Sequence, residues 1–275
     1  TPNKPLWFNR DRFILAAGHG TGMLYPTLHL SGYDVTIKDL QEFRQLNSKT
    51  PGHPEYLHTK GIDATSGPLG QGIAMATGMA LAEEYLRATF NRDKFNVVDH
   101  FTYAICGDGD LQEGVTQEAM SLAGHLGLGK LIVLYDSNDI QLDGPTSWAT
   151  SENVQDKYES MNWHYIKIKD ANDLDSLQEA LNIAKGVKGK PSIIEVKSII
   201  GFGASNQGDS ATHGSPLGKA ETDAMKKRMG WRYDEFTVPQ EVYDDFFTKV
   251  VQRGDEAVND WEELFENYKA KHSEQ

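Results

Sequence analysis

Apolar positions along the chain fall into two alternating kinds of run. Short runs at Phe13–Ala16, Tyr103–Cys106, Leu131–Tyr135, His164–Ile168 and Ser192–Val196 read as strands. Between them, stretches near 39–46, 70–88, 114–126, 174–186 and 217–229 carry helical patterns. Strands alternating with helices predict an α/β fold, a parallel sheet flanked by helices on both faces. Leu131–Tyr135 is apolar throughout, as a central strand covered on both sides requires. From Val238-Pro239 the character changes. Val242, Tyr243, Phe246, Phe247, Val250 and Val251 recur at helical spacing, as do Val258, Trp261, Leu264, Phe265 and Tyr268. With Gly254 between them, the two patterns predict a helical hairpin. The chain therefore divides into an α/β domain over 1–238 and a helical extension over 239–275, packed on it or leading into a further domain. Residues 240–275 hold ten acidic and four basic side chains, a solvated outer face. No repeat or low-complexity tract interrupts the pattern.

Composition narrows the chemistry. The 275 residues include 27 basic and 40 acidic side chains, a net charge of −13 and a pI near 5.1. That field argues against nucleic-acid or anionic-membrane partners, so any anionic substrate must be held by local groups. The single cysteine, Cys106, excludes an intramolecular disulfide framework and a multi-thiolate metal site. It lies on a strand with no activated cysteine–histidine pair in view, and reads as a core thiol. No apolar run approaches a membrane span, and the Thr1-Pro2-Asn3-Lys4-Pro5 start has no signal-peptide pattern. A reducing cytoplasm is the expected location. The first residue is not Met, which suggests that an upstream end has been removed.

The most informative stretch is Tyr103-Ala-Ile-Cys-Gly107-Asp108-Gly109-Asp110-Leu-Gln-Glu113-Gly114. A strand runs into Gly-Asp-Gly, a helix follows, and the next strand ends in Tyr135-Asp136-Ser137-Asn138. A right-handed βαβ crossover makes the two strands parallel, with their carboxyl ends on the sheet edge where open α/β folds bind ligands. If the strands are neighbours about 4.8 Å apart, Asp108 and Asn138 converge on one point. A carboxylate, an amide oxygen and a backbone carbonyl such as that of Ile140 are hard ligands, suited to magnesium or calcium. Glycines on either side of Asp108 allow a sharp turn and a close approach to a diphosphate. Either residue alone reads more simply as a helix cap or an Asx turn. Together, in this order of elements, they favour a metal–diphosphate site.

This pattern, Gly-Asp-Gly followed some thirty residues later by Asn, resembles the thiamine-diphosphate motif, and the surrounding words are similar to those of transketolases. They are Asn9–Phe13, Thr50-Pro-Gly-His53-Pro-Glu, Ser66–Gly72, Gly107–Gly114 and Ala211-Thr-His213-Gly-Ser-Pro216. The resemblance implies a cation held by Asp108, Asn138 and the carbonyl of Ile140, bridging to the diphosphate of a cofactor that also meets Gly107 and Gly109. It implies His19 beside diphosphate and substrate, His53 on the donor sugar's hydroxyls, and His213 on both cofactor and substrate. Gly67, Pro68 and Leu69 would pack against the thiazolium ring. Glu113 and Glu118 match acidic residues of the family's dimer interface, and Glu113 is also taken as a cofactor contact. The other six histidines, His29, His58, His100, His125, His164 and His272, read as structural or surface residues, whereas His19, His53 and His213 lie in Gly/Pro-bounded loops. The small residues Gly70, Ala74, Gly78 and Ala82 permit a close helix contact, within the domain by default or between subunits by resemblance.

The activity implied is transfer of a two-carbon ketol unit from a ketose phosphate to an aldose phosphate in the pentose phosphate pathway, with thiamine diphosphate and Mg²⁺ or Ca²⁺. Dihydroxyacetone synthase is a close alternative. The resemblance further implies a homodimeric full enzyme and a pyrimidine-binding domain from the same or a second polypeptide. The chain then reads as a fragment, or as one half of a split enzyme, inactive alone. Two rivals fail. Neither Gly107-x-Gly109 nor Gly18-x-Gly20-x-Gly22 matches the dinucleotide pattern. Gly124–Lys130 precedes a strand and lacks the Ser or Thr of a nucleotide-triphosphate loop.

Overall fold

The computed structural model describes residues 1–274. Its five strands are β1 (Arg12–Leu15), β2 (Thr102–Gly107), β3 (Leu131–Ser137), β4 (His164–Ile168) and β5 (Ser192–Lys197), all parallel, in the order β1-β2-β3-β5-β4. The helices in chain order are α1 (Thr21–Leu30), α2 (Ile37–Gln41), α3 (Gln71–Phe90), α4 (Asp108–Gln112), α5 (Gly114–Leu126), α6 (Val154–Ser160), α7 (Leu174–Gly186), α8 (Lys219–Arg228), α9 (Gln240–Phe246) and α10 (Arg253–Lys271).

Each strand falls on an apolar run, and β3 is central. Side chains alternate across the sheet, so each strand feeds two cores. On one face Ile14, Ala104, Val133 and Ile193 meet Ile73, Ala76, Met120 and Tyr158 of α3, α5 and α6. On the other, Leu15 packs with Leu24 and Leu28 of α1, and Ile132, Ile168 and Ile194 pack with Ala180 and Ala184 of α7. The parallel α/β sheet flanked on both faces is therefore observed, as is the C-terminal helical segment.

Several local expectations are corrected. Helices α1, α4 and α6 had no counterpart in the apolar pattern. Gly22 and Pro26 disguise α1, and α4 and α6 are too short to show a period. The helix expected over 39–46 is Ile37–Gln41, begun by the Thr36 side chain accepting from the Asp39 amide (3.2 Å) and followed by turns with positive φ at Arg44 and Asn47. The C-terminal hairpin is instead one continuous helix. A π-helical stretch, Phe247–Gln252, joins α9 to α10 without a break. Gly254 does not end a helix; it makes room for Thr1, whose Cβ would lie 2.9 Å from an added Cβ. This helix packs on the 95–98 segment through Leu264, Phe265 and Tyr268, and the Trp261 indole donates to the Val97 carbonyl (2.9 Å). Gln275, the last residue of the 239–275 extension, lies outside the described residues.

The small-residue stripe on α3 also works differently from the default reading. Gly78 and Ala82 are exposed, beside exposed Leu81 and Tyr85. Close packing uses the adjacent face, where Gly72, Ala76 and Ala80 are buried. A Cβ on Gly72 would come within 2.5 Å of the Ala16 Cα. Helix propensity alone favours alanine there by roughly 1 kcal/mol. Overpacking should win, and Gly72→Ala should destabilise the fold by about 1–3 kcal/mol in urea unfolding. A stabilised variant would show that α3 does not press this closely on β1.

Candidate cofactor cleft

The β2–β3 register sets the site. Gly107 pairs with Asp136 in the parallel ladder, so Asp108 and Asn138 emerge one step and two steps beyond the same rung. The carboxyl ends of β1, β2 and β3 open on a cleft of about 610 Å³, within the usual range for small-molecule sites. His19, Gly67, Leu69, Gly107, Asp108, Gly109, Glu113, Asn138, Ile140 and His213 all line it. A larger cavity of about 750 Å³ lies beside the amino end of β1, but two of its ionic groups, half-buried Arg10 and buried Asp63, already pair with each other. It offers less unspent chemistry.

Two expected residues do not line the cleft. Pro68 is exposed beside it, its carbonyl accepting from the Gln71 amide (3.4 Å). His53 stands behind Gly67, where an added Cβ would meet the imidazole Cγ at 3.3 Å. The loop bearing His53 is tied to the start of α1, the Thr21 hydroxyl donating to the Gly52 carbonyl (2.8 Å) and the Tyr25 hydroxyl to that of His53 (3.4 Å). Glu118 is exposed on α5. His19 occupies a short 3₁₀ turn, Gly18–Gly20, directly after β1, and its ring lies 5.0 Å from that of His213. Desolvation, and then the neighbouring His213, push His19 below the usual histidine range. The His213 Nδ1 is buried and has no partner among the described residues.

Asp108 is buried, and its two oxygens differ. Oδ1 accepts from the Tyr135 hydroxyl, while Oδ2 is buried with no partner among the described residues. Burial pushes its pKa up to about 6; the Tyr135 hydroxyl opposes that rise, and Asp139 and Asp136 add to it. Asn138 is fixed at both ends of its amide, donating to Asp136 Oδ2 (3.0 Å) and accepting from the Ile140 amide (2.9 Å). That second bond is the Asx turn of the simpler reading, and it coexists with a site, because an amide oxygen has two lone pairs. Asp136 is steadied in turn by the Ser198 hydroxyl. Asp139, with φ of 63°, pairs with Lys197 (2.6 Å). The glycines act otherwise than expected, since neither Gly107 nor Gly109 has positive φ. Gly107 borders open space into which a Cβ would project, while Gly109 accommodates Leu69, whose Cδ1 would lie 2.8 Å from an added Cβ.

No group of three or more His, Cys, Asp or Glu side chains able to hold a metal occurs among the described residues. The cleft lining offers an orphaned carboxylate oxygen on Asp108, an oriented amide oxygen on Asn138 and the backbone of Ile140. Oxygen donors of these kinds suit a hard cation whose other ligands are phosphate oxygens and water. The residues present therefore fit a metal–diphosphate group.

Sequence reasoning missed Tyr135, Asp136 and Ser198, which orient the two side chains. Strand parity held a hint of Asp136, which sits on the rung of Gly107, but no motif announces Tyr135 as a donor. Cys106 is wholly buried and its thiol is pushed well up by burial, as a core thiol should be. Lys130, in the triphosphate-loop look-alike, is taken by Glu83 and Asp99.

The family model described as "Transketolase, thiamine diphosphate binding domain" matches residues 1–275. Over 271 residues the chain is 56% identical to the transketolase of Bacillus subtilis, an alignment covering 98% of this chain and 41% of that protein. Among solved structures, the transketolase from Leishmania mexicana superposes with a TM-score of 0.97 at 46% identity, covering 99% of this chain and 41% of the other. The Pichia stipitis transketolase complex with sedoheptulose-7-phosphate gives 0.97 at 43% identity, covering 100% and 41%. The chain thus spans about two fifths of the length of the relatives it matches.

The Tyr135–Asp108 bond makes a titration testable. Asp108 ionises in the folded state above its unfolded value, so its ionisation subtracts stability as pH rises through about 6. Tyr135 favours the ionised form. Tyr135→Phe should therefore raise the Asp108 pKa in a carboxyl-carbon NMR titration of the metal-free protein; an unchanged or lowered value would contradict the bond.

Proposed function

The chain belongs to the transketolase family, in which it spans the thiamine-diphosphate-binding domain, and we propose that its cleft grips the cofactor's diphosphate through Mg²⁺ or Ca²⁺. The observation that carries this reading is the orphaned Asp108 Oδ2, buried in the wall of a cleft it shares with the oriented Asn138 amide. Asp108, Asn138 and the Ile140 carbonyl would hold the cation, with Gly107 and Gly109 beside the diphosphate and Gly67, Pro68 and Leu69 along the ring side. When bound, thiamine diphosphate supplies the nucleophilic carbon and the electron sink for breaking and remaking a carbon–carbon bond.

The chain's own residues then bind, orient and move protons. His19, its pKa depressed, is a neutral imidazole near pH 7, able to donate to phosphate or sugar oxygens and to exchange a proton with a hydroxyl. His213, 5.0 Å away ring to ring, supplies a second imidazole from the opposite loop. His53, behind Gly67, would reach donor-sugar hydroxyls from the rim. We read the whole protein as a transferase passing a two-carbon ketol unit between sugar phosphates. The Pichia stipitis relative was solved with a sugar phosphate of that class. The remaining three fifths of such a protein would supply the pyrimidine-binding domain, and a homodimer would bring Glu113 and Glu118 to its interface. No helix among the described residues is long and apolar enough to cross a membrane. A cytoplasmic setting suits a chain whose one cysteine is a buried thiol.

Calorimetry on the full-length protein tests the reading. Thiamine diphosphate should bind only with a divalent cation present. Asp108→Ala should weaken that binding on the order of a hundredfold while moving the unfolding midpoint of the metal-free protein little. Binding that survives a chelator, or that ignores the substitution, would contradict it.

A further inference from the structure

Asp110 takes no part in the cation shell, yet it is wholly buried at the base of the cleft. Its two oxygens accept from two different backbone segments. Oδ1 takes the Gly70 amide (2.8 Å) and Oδ2 the Gly107 amide (3.1 Å). Gly70 closes the segment carrying Gly67 and Leu69, and Gly107 opens the turn carrying Asp108 and Gly109. These are two walls of one cleft. The walls interlock elsewhere without slack. An added Cβ on Gly109 would lie 2.8 Å from Leu69 Cδ1, and one on Gly70, where φ is +79°, would lie 2.7 Å from the Glu113 Cβ. Among side chains of this size, only a carboxylate offers two acceptors and no donor. An amide must turn its NH₂ toward one of the two N–H groups and leave that group without an acceptor.

We infer that Asp110 is a positioning residue that locks the Gly67–Leu69 wall to the Gly107–Gly109 turn at one spacing, so that the cleft accepts the ring side and the diphosphate side of one cofactor together. The inference rests on the cofactor reading above, and its consequence is selective. Inorganic diphosphate needs only the turn and its cation, whereas thiamine diphosphate needs both walls at the right separation. A residue that merely stabilised the fold would not tell the two ligands apart.

The experiment uses the full-length protein and two probes, inorganic pyrophosphate and thiamine diphosphate, each with Mg²⁺. Asp110→Asn should lose at least about tenfold more affinity for thiamine diphosphate than for pyrophosphate, the loss tied to a hydrogen bond made by a charged group. Equal losses for both probes, or none, would overturn the inference. A wild type that binds neither probe would sink the cofactor reading, and the inference with it. Hydrogen exchange on the unsubstituted, cofactor-free protein gives an answer independent of how the variant folds. Amides of Gly70 and Gly107 should be protected to the same degree and open together; exchange of Gly70 at a free-loop rate would refute the lock.

Discussion

The site depends on the hydrogen-bonded ladder between β2 and β3, which runs from Thr102 opposite Leu131 to Gly107 opposite Asp136. A slip of one residue would turn every side chain of a strand to the opposite face. Asp108 and Asn138 would separate, and the Tyr135 hydroxyl would leave the Asp108 carboxylate. What prevents the slip is far from the chemistry. Leu131, Ile132 and Val133 are fully buried between two layers of helices, and a shifted register would expose that apolar surface or bury polar groups in its place. The apolar core thus holds two strand tips in the one alignment that makes them a site.

The electrostatics follow from how the cleft's carboxylates are used. A protein of net charge −13 repels a diphosphate at long range, and the cleft adds Asp108, Asp110, Glu113, Asp136 and Asp143, with Asp139 close by. Three of these carboxylates are already engaged. Asp110 accepts from two backbone amides, Asp136 from Ser198 and Asn138, and Asp139 from Lys197. Asp108 alone in this set keeps an oxygen that is buried and unpartnered. A cation drawn to that oxygen would turn a repulsive patch into an anion-binding one, and on the proposed reading cofactor and metal would bind as one unit.

Much of this was legible in the sequence because it depends on local pattern. Each strand follows from a short apolar run, and the Gly107-Asp108-Gly109 turn with Asn138 follows from strand, helix and strand in order. The rest depends on partners distant in the chain. Tyr135 looks like an ordinary strand aromatic until its hydroxyl is seen on Asp108, 27 residues away. Asp110 looks like part of a helix start until the Gly70 amide, 40 residues away, is found on it. Gly254 reads as a break between helices, yet it is an interior position kept small for Thr1. In the same way α1 hides behind Gly22 and Pro26, whose propensities argue against helix while its buried face, Leu24, Tyr25 and Leu28, holds it in place.

The most direct measurement is a crystal structure of the full-length protein with thiamine diphosphate and Mn²⁺ as an anomalously scattering stand-in for the native cation. One anomalous peak is expected between β2 and β3, within the hard-cation range of about 2.0–2.6 Å from Asp108 Oδ2, the Asn138 amide oxygen and the Ile140 carbonyl, and touching the diphosphate. A peak elsewhere, or a diphosphate bound with Asp108 still uncoordinated, would contradict this reading.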